Sequence, residues 1–266
     1  MQKNVHDSLL PDCPWQRTLH RFKELDSTNT QAKRFAAQGA PHGTVIVADR
    51  QTGGRGRMGR SFSSPAGMGV YLSVLLRPDC TPDKLMHLTC AAGLAARNAV
   101  NRLCGIAPEI KWPNDLVING KKLGGILTET ALDSRTGRLA YAVVGIGINC
   151  CQKATDFPED ICHIATSLYL LTGKSISPME LSAVLTEELY RMDSLLLTDK
   201  NQLMADYRTV CITPGKAISI VQGDAVFHGT ALNVDDDGGL VVQLSDGTEK
   251  TVNSGEVSIR GMYGYV

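Results

Sequence analysis

Gly53-Gly54-Arg55-Gly56-Arg57-Met58-Gly59-Arg60 sets three guanidinium groups among four glycines. Glycine lets the backbone turn freely and approach a ligand closely, and each arginine presents a forked set of donors matched to phosphate or carboxylate. The spacing is not that of a P-loop, since GxxxxGK[ST] is absent. Taken alone, the run reads as an anion-gripping loop, as a solvated basic turn, or as an RG-type nucleic-acid segment. Lys+Arg and Asp+Glu both number 27, so no excess positive field draws the chain to nucleic acid or to an anionic membrane. That balance favours a local site for a small anion.

Two further groups carry polar chemistry. In Lys111-Trp112-Pro113-Asn114-Asp115, the proline holds Trp112 extended and brings the chain to an abrupt polar turn. The turn exposes Lys111, Asn114 and Asp115 at a strand end, although an ordinary Asn-Asp turn with a tryptophan over the core fits the same residues. Lys122 follows across Asn119-Gly120, the dipeptide best suited to a tight hairpin, which could bring it to the face of Lys111. Gly145-Ile146-Gly147-Ile148-Asn149 reads as a strand that keeps one face clear and ends on an amide, as close approach of a ligand or another backbone would require. It is no dinucleotide fingerprint, because GxGxxG opening a helix is missing.

The elements that must position these groups follow from periodicity. Asp26-Ser27-Thr28-Asn29 supplies capping side chains to a short helix that Gly39 and Pro41 end. Thr44 to Ala48 and Val70 to Leu76 are β-branched or apolar runs of strand length, so the glycine-arginine run connects two core strands. Pro82 to Leu103 is expected as one long packed helix, and Leu181, Val184, Leu185, Leu189, Met192 and Leu195 mark another. Leu116 to Ile118, Leu123 to Leu127 and Leu139 to Ile148 add strands. From about Gly215 the texture changes to short alternating strands with Asp/Gly turns, as in a small SH3-like barrel. The expected fold is α+β: a mixed β-sheet with packed helices over 20–212, an arm over 1–19, and a small β-barrel over 213–266.

Composition excludes several classes. The 266 residues can bury a core without staples. The eight cysteines form no CxxC pair and no zinc-finger spacing, so they are expected as free thiols in a reducing compartment. No secretory start and no run of about 18 apolar residues is present, which reads as cytoplasmic. About 25 residues ahead of the first helix are too few for a helix-turn-helix domain, which argues against DNA reading by this arm.

Together, Asp26-Ser27-Thr28-Asn29, Gln51 with Gly54 to Arg60, Lys111 to Asp115, Lys122-Leu123-Gly124-Gly125-Ile126-Leu127, Gly145 to Asn149 and the late Gly255-Glu256-Val257-Ser258-Ile259-Arg260 resemble biotin protein ligase over residues 20 to 261. The short arm is similar to that of monofunctional members, which lack the DNA-binding domain of the repressor type. The resemblance implies a catalytic domain of the class II aminoacyl-tRNA synthetase/biotin ligase type. It also implies two steps: biotin and ATP, with Mg²⁺, give biotinyl-adenylate and pyrophosphate, and a lysine of a biotin carboxyl carrier domain then takes the biotinyl group.

By that resemblance Ser27, Thr28 and Gln51 hydrogen-bond the ureido ring of biotin, and Asn29 also belongs to the biotin site. Arg55, Gly56, Arg57, Lys122 and Gly125 complete its site, the Arg55 to Arg57 backbone and Lys122 meeting the valeryl carboxylate. Arg57, Arg60, Lys111, Asn114, Asp115 and Asn149 form the ATP site, with Asn149 on the adenine side, and Lys111, Arg57 and Lys122 are the catalytic set. In the family the loop orders over its ligand. Met58 stands where some members carry another arginine, and Arg260 is a candidate for helping to close the site. The resemblance names neither metal ligands nor a base for the acceptor lysine, and it fits a monomer or a homodimer. Lipoate protein ligase shares the adenylate logic, but Ser27, Thr28 and Gln51 suit a polar head better than a dithiolane, because buried donors need partners. A nucleic-acid-binding regulator is the rival from another class.

Overall fold

A central sheet carries helices on its two faces, in a computed structural model that describes residues 13–222, 225–253 and 258–261. The side chains of Gln16 and of 258–261 lie outside the described residues, and so does any contact of Arg260. Strands β1 (Leu19–Phe22), β2 (Thr44–Ala48), β3 (Gly69–Leu76), β4 (Glu109–Lys111), β5 (Asp115–Ile118), β6 (Lys121–Leu132) and β7 (Leu139–Asn149) form a sheet in the order β1-β2-β3-β7-β6-β5-β4. Only β1 and β2 run parallel, so the sheet is mixed.

The apolar strands are buried on both faces because helices cover both. Helix α1 (Thr28–Ala37) sets Ala32 and Ala36 on Ile46, Leu75 and Val143. Alternate residues such as Val45, Val47, Leu72 and Val74 face the larger core beneath α2 (Leu88–Cys104) and α4 (Pro178–Leu196). The chain opens α1 differently from the expected side-chain cap. Ser27 occupies the N-cap without a capping bond, and the first helical N–H, that of Thr28, donates to Gln51 Oε1 at 2.8 Å.

The stretch expected as one helix from Pro82 is two. Pro82–Leu85 makes a 3₁₀ turn and α2 begins at Leu88, the joint lying where His87 is buried with Nε2 2.9 Å from Leu196 O. On α4 it is Leu196, not Leu195, that joins Leu181, Leu185, Leu189 and Met192 in the core, since a straight helix drifts against the heptad-like spacing. Helix α3 (Leu168–Thr172) is a single turn too short to show a period, and α5 (Lys200–Val210) carries too few apolar residues to stand out in the sequence. The Asn119-Gly120 turn takes positive φ at both residues, 49° and 72°, and joins β5 to β6 as a tight hairpin.

Strands β8 (Ala217–Gln222), β9 (Ala225–Val234), β10 (Leu240–Leu244), β11 (Glu249–Val252) and β12 (Ser258–Gly261) form a second, wholly antiparallel sheet in the order β11-β10-β9-β8-β12. It is joined firmly to the first unit. Ile212 N donates to Ile110 O at 2.9 Å, Trp112 N to Thr213 Oγ1 at 2.9 Å, and Trp112 Nε1 to Gly238 O at 2.9 Å. Arg208 also pairs with Asp236 and donates to Val234 O. One hydrophobic core therefore runs from β2 through α2 to Ile218, Ala231 and Leu240. All eight cysteines are free thiols, and among the described residues no helix is long and apolar enough to cross a membrane.

Candidate active site

The glycine-arginine run folds as a narrow hairpin of its own. Phe62 N donates to Gly54 O at 2.9 Å, Arg55 bridges to Ser61, and Gly56 N donates to Arg60 O at 2.7 Å. The tip, Arg57–Gly59, turns through positive φ at Met58 (54°) and Gly59 (74°). A side chain at Gly54 would put Cβ 2.3 Å from Phe62 O, so the closeness of the two arms demands glycine there. This hairpin stands over a cavity of about 430 Å³ walled by β6, β7, the start of α1 and the Lys111 to Asp115 turn.

Ser27, Thr28, Asn29, Gln51, Arg55, Gly56, Arg57, Arg60, Lys111, Asn114, Asp115, Lys122 and Gly125 all line that cavity. At one end the groups are neutral and mutually bonded. Gln51 Oε1 accepts from Thr28 Oγ1 (3.1 Å) as well as Thr28 N, and its Nε2 donates to Ser64 Oγ at 2.9 Å. Ser73, fully buried on β3, has its Oγ 2.8 Å from Thr28 Oγ1 and 2.6 Å from Asn29 Oδ1, its one proton serving one of the two. A polar wall held this way meets a polar ligand with little rearrangement.

The other end is cationic. Lys122 Nζ lies 2.5 Å from Asp115 Oδ1, across the bulged β5–β6 pairing. Arg57 Nη1 donates to Asn114 Oδ1 at 3.1 Å, while Asn114 Nδ2 is fixed by Ile126 O at 2.9 Å. Burial pushes the Arg57 guanidinium down from its ordinary value, against the pull of Asp115. Lys111 is affected more: burial, and behind it the charges of Lys122, Lys216 and Arg60, lower its ammonium to about 8 despite Asp115. Asp115 is the one carboxylate among the described residues on the cavity wall, where it stands among Arg57, Arg60, Lys111 and Lys122. The Trp112–Pro113 peptide is cis, which turns the chain between Lys111 and Asn114.

Asn149 does not join this group. It lies one repeat beyond Gly147 on the same strand face, is buried, donates to Thr166 O at 3.0 Å and accepts from Gln152 Nε2 at 3.2 Å. The two β7 glycines also differ from expectation in what approaches them. A Cβ at Gly145 would lie 2.0 Å from Asn29 Oδ1, and one at Gly147 would lie 2.5 Å from the Phe62 ring, so side chains fill the clearance. Ser73 and Phe62 are site residues that sequence reasoning missed. A single small polar residue in the apolar run Val70-Tyr71-Leu72-Ser73-Val74-Leu75-Leu76 was the available signal for the first.

Residues 22–149 match the Biotin/lipoate A/B protein ligase family, and residues 213–260 match the Biotin protein ligase C terminal domain. Among curated proteins, the bifunctional ligase/repressor BirA of Bacillus subtilis is 37% identical over 85% of this chain and 69% of its own length. The biotin–[acetyl-CoA-carboxylase] ligase of Mycobacterium tuberculosis is 31% identical over 96% of this chain and 94% of its own. Among solved structures, the biotin protein ligase of Aquifex aeolicus in complex with biotin and ATP superposes with a TM-score of 0.76 at 30% identity, covering 92% of this chain and 99% of that one. With its two sheets, its glycine-arginine hairpin and its cation-lined cavity, the chain belongs to the biotin protein ligases of the biotin/lipoate A/B protein ligase family.

Proposed function

We propose that the cavity holds biotin and ATP in line, with the ureido ring at the Ser27, Thr28, Asn29 and Gln51 end and the phosphates at the Arg57, Arg60 and Lys111 end. The single observation that carries this reading is the polarity of the cavity: neutral hydrogen-bonding groups line one end, and Arg57, Arg60, Lys111 and Lys122 gather at the other. The reaction is ATP-dependent activation of biotin followed by transfer to a lysine of a carboxylase's biotin carrier domain. In the first step a biotin carboxylate oxygen attacks the α-phosphorus and pyrophosphate leaves. In the second the acceptor amine attacks the activated carbonyl, and AMP leaves with the bond electrons.

Lys122 meets the biotin carboxylate, and its pairing with Asp115 sets where the ammonium points. Arg57 and Asn114 act as one unit, the amide orienting the guanidinium toward the phosphates. Fixed charge of this kind, aimed where negative charge develops, lowers the barrier without reorganisation. No covalent enzyme intermediate is required. The donor set also suits Mg²⁺, which keeps several waters and binds through one or two carboxylates plus substrate phosphates. Asp115 would hold it, and among the described residues no cluster of three or more metal-ligating side chains offers an all-protein cage. When bound, the ion neutralises charge on the phosphates.

Arg57→Ala and Lys122→Ala test the assignment. Each removes a charge-assisted contact, so isothermal titration should show biotin or adenylate affinity weaker by roughly ten- to a hundredfold. Wild-type affinities in both variants would refute it.

A further inference from the structure

Glu129 on β6 shares its strand face with Gly125 and Leu127 of the cavity wall, yet stands just outside the cavity. Its carboxylate gathers three groups from two elements. Asn29 Nδ2 donates to Oε2 at 2.8 Å, Lys33 Nζ to Oε1 at 2.6 Å, and Arg55 Nη2 lies 3.6 Å from Oε2. Arg55 Nη2 is also 3.0 Å from Thr30 Oγ1. Burial alone would push the Glu129 carboxyl up, but the hydrogen bonds from Lys33 and Asn29 and the charges of Lys33 and Arg55 outweigh it and hold the group below its usual range.

The contacts form a chain. Ser73 in the core bonds Asn29, Asn29 bonds Glu129, and Glu129 pairs with Arg55 at the base of the glycine-arginine hairpin, where Arg55 bridges to Ser61. Arg57, Met58 and Gly59 at the tip lie beyond this chain. Arg55 is thus turned toward α1, while Arg57 is turned toward Asn114 and the cavity. We propose that Glu129 is a positioning residue: through Asn29 and Arg55 it fixes the base of the hairpin to the floor of the site, so that the tip can close over biotinyl-adenylate from a fixed root. The identity of the covered ligand rests on the function proposed above; the anchor itself does not.

Two readouts separate those claims. Glu129→Gln keeps size and hydrogen-bonding capacity but removes the charge that holds Arg55, and Arg55→Gln removes the same pair from the exposed side. In the ligand-free protein, tryptic cleavage after Arg57 and Arg60, followed by mass spectrometry, should speed up about two- to fivefold in either variant, the range one exposed ion pair supplies. The double variant should cleave more slowly than the product of the two single effects would give, because both substitutions break the shared Glu129–Arg55 pair. Escape of preformed biotinyl-adenylate in a biotin chase should rise by a similar factor in Glu129→Gln. Unchanged cleavage, multiplying effects in the double variant, or unchanged adenylate escape would overturn the proposal. A wild-type protein that forms no adenylate would instead overturn the proposed function, and the cleavage rates would still decide the anchor.

Discussion

Lys111 shows most plainly how position alters a residue's chemistry. In water a lysine titrates near pH ~10.4, but burial beside Lys122, Lys216 and Arg60 lowers this one to about 8. The charged form is the one that attracts a triphosphate. The KM for ATP should therefore stay low below about pH 8 and rise as pH climbs through that value, while Lys111→Arg, charged throughout, should flatten the profile. A flat wild-type profile up to pH 9 would show that Lys111 is not the group titrating against ATP. The same shift weighs on stability in a definite direction: the penalty on the buried charge is present below about 8 and is relieved as pH rises toward the unfolded value. The sequence displays Lys111, Asn114 and Asp115 as a polar turn, but it cannot show that the turn is half buried, and burial is the source of the shift.

At the scale of elements, glycines that look alike in the sequence have different duties. Gly145 on β7 gives way to Asn29, and an added methyl would sit 2.0 Å from Asn29 Oδ1. Gly145→Ala should lower stability by about 1–3 kcal/mol through overpacking, and it should weaken biotin binding by displacing Asn29. Gly125 on β6 faces open cavity, where a Cβ meets Lys122 and Asp115 at ordinary distances of 3.4–3.5 Å. Gly125→Ala should leave the melting temperature near wild type and change ligand affinity alone; thermal melts beside titrations distinguish the two. Strands β2, β3 and β7 were legible because their apolar runs are long and continuous, and the Asn119-Gly120 hairpin because its turn chemistry is specific. The 3₁₀ break before α2 and the helix α5 were not, since the first is set by the distant contact of His87 with Leu196 O and the second has a sparse apolar pattern.

On the scale of the whole molecule, Trp112 ties the two sheets together. Its ring is buried, and its Nε1 donates to the buried carbonyl of Gly238, so one side chain next to Lys111 joins the site to the C-terminal sheet. Trp112→Phe should cost about 1–3 kcal/mol by leaving that carbonyl without a partner, visible as an earlier denaturation midpoint with the slope kept. The tryptophan was legible as a core residue, whereas its partner 126 positions away was not. The candidate site was legible mainly as a set of motifs in order: their joint presence pointed to the chemistry, and the fold supplies the distances. What the sequence could not convey was the inner support, Ser73 behind Thr28 and Asn29, and Glu129 behind Arg55, because each acts through a residue far from it in the chain. The most direct test of the central claim is to supply the purified protein with ATP, Mg²⁺ and a biotin carrier domain, with biotin in one reaction and lipoate in another, and to follow pyrophosphate release and the mass of the carrier. Pyrophosphate and a biotinylated carrier lysine are expected with biotin, and neither product with lipoate; lipoylation of the carrier with biotin inert would overturn the assignment.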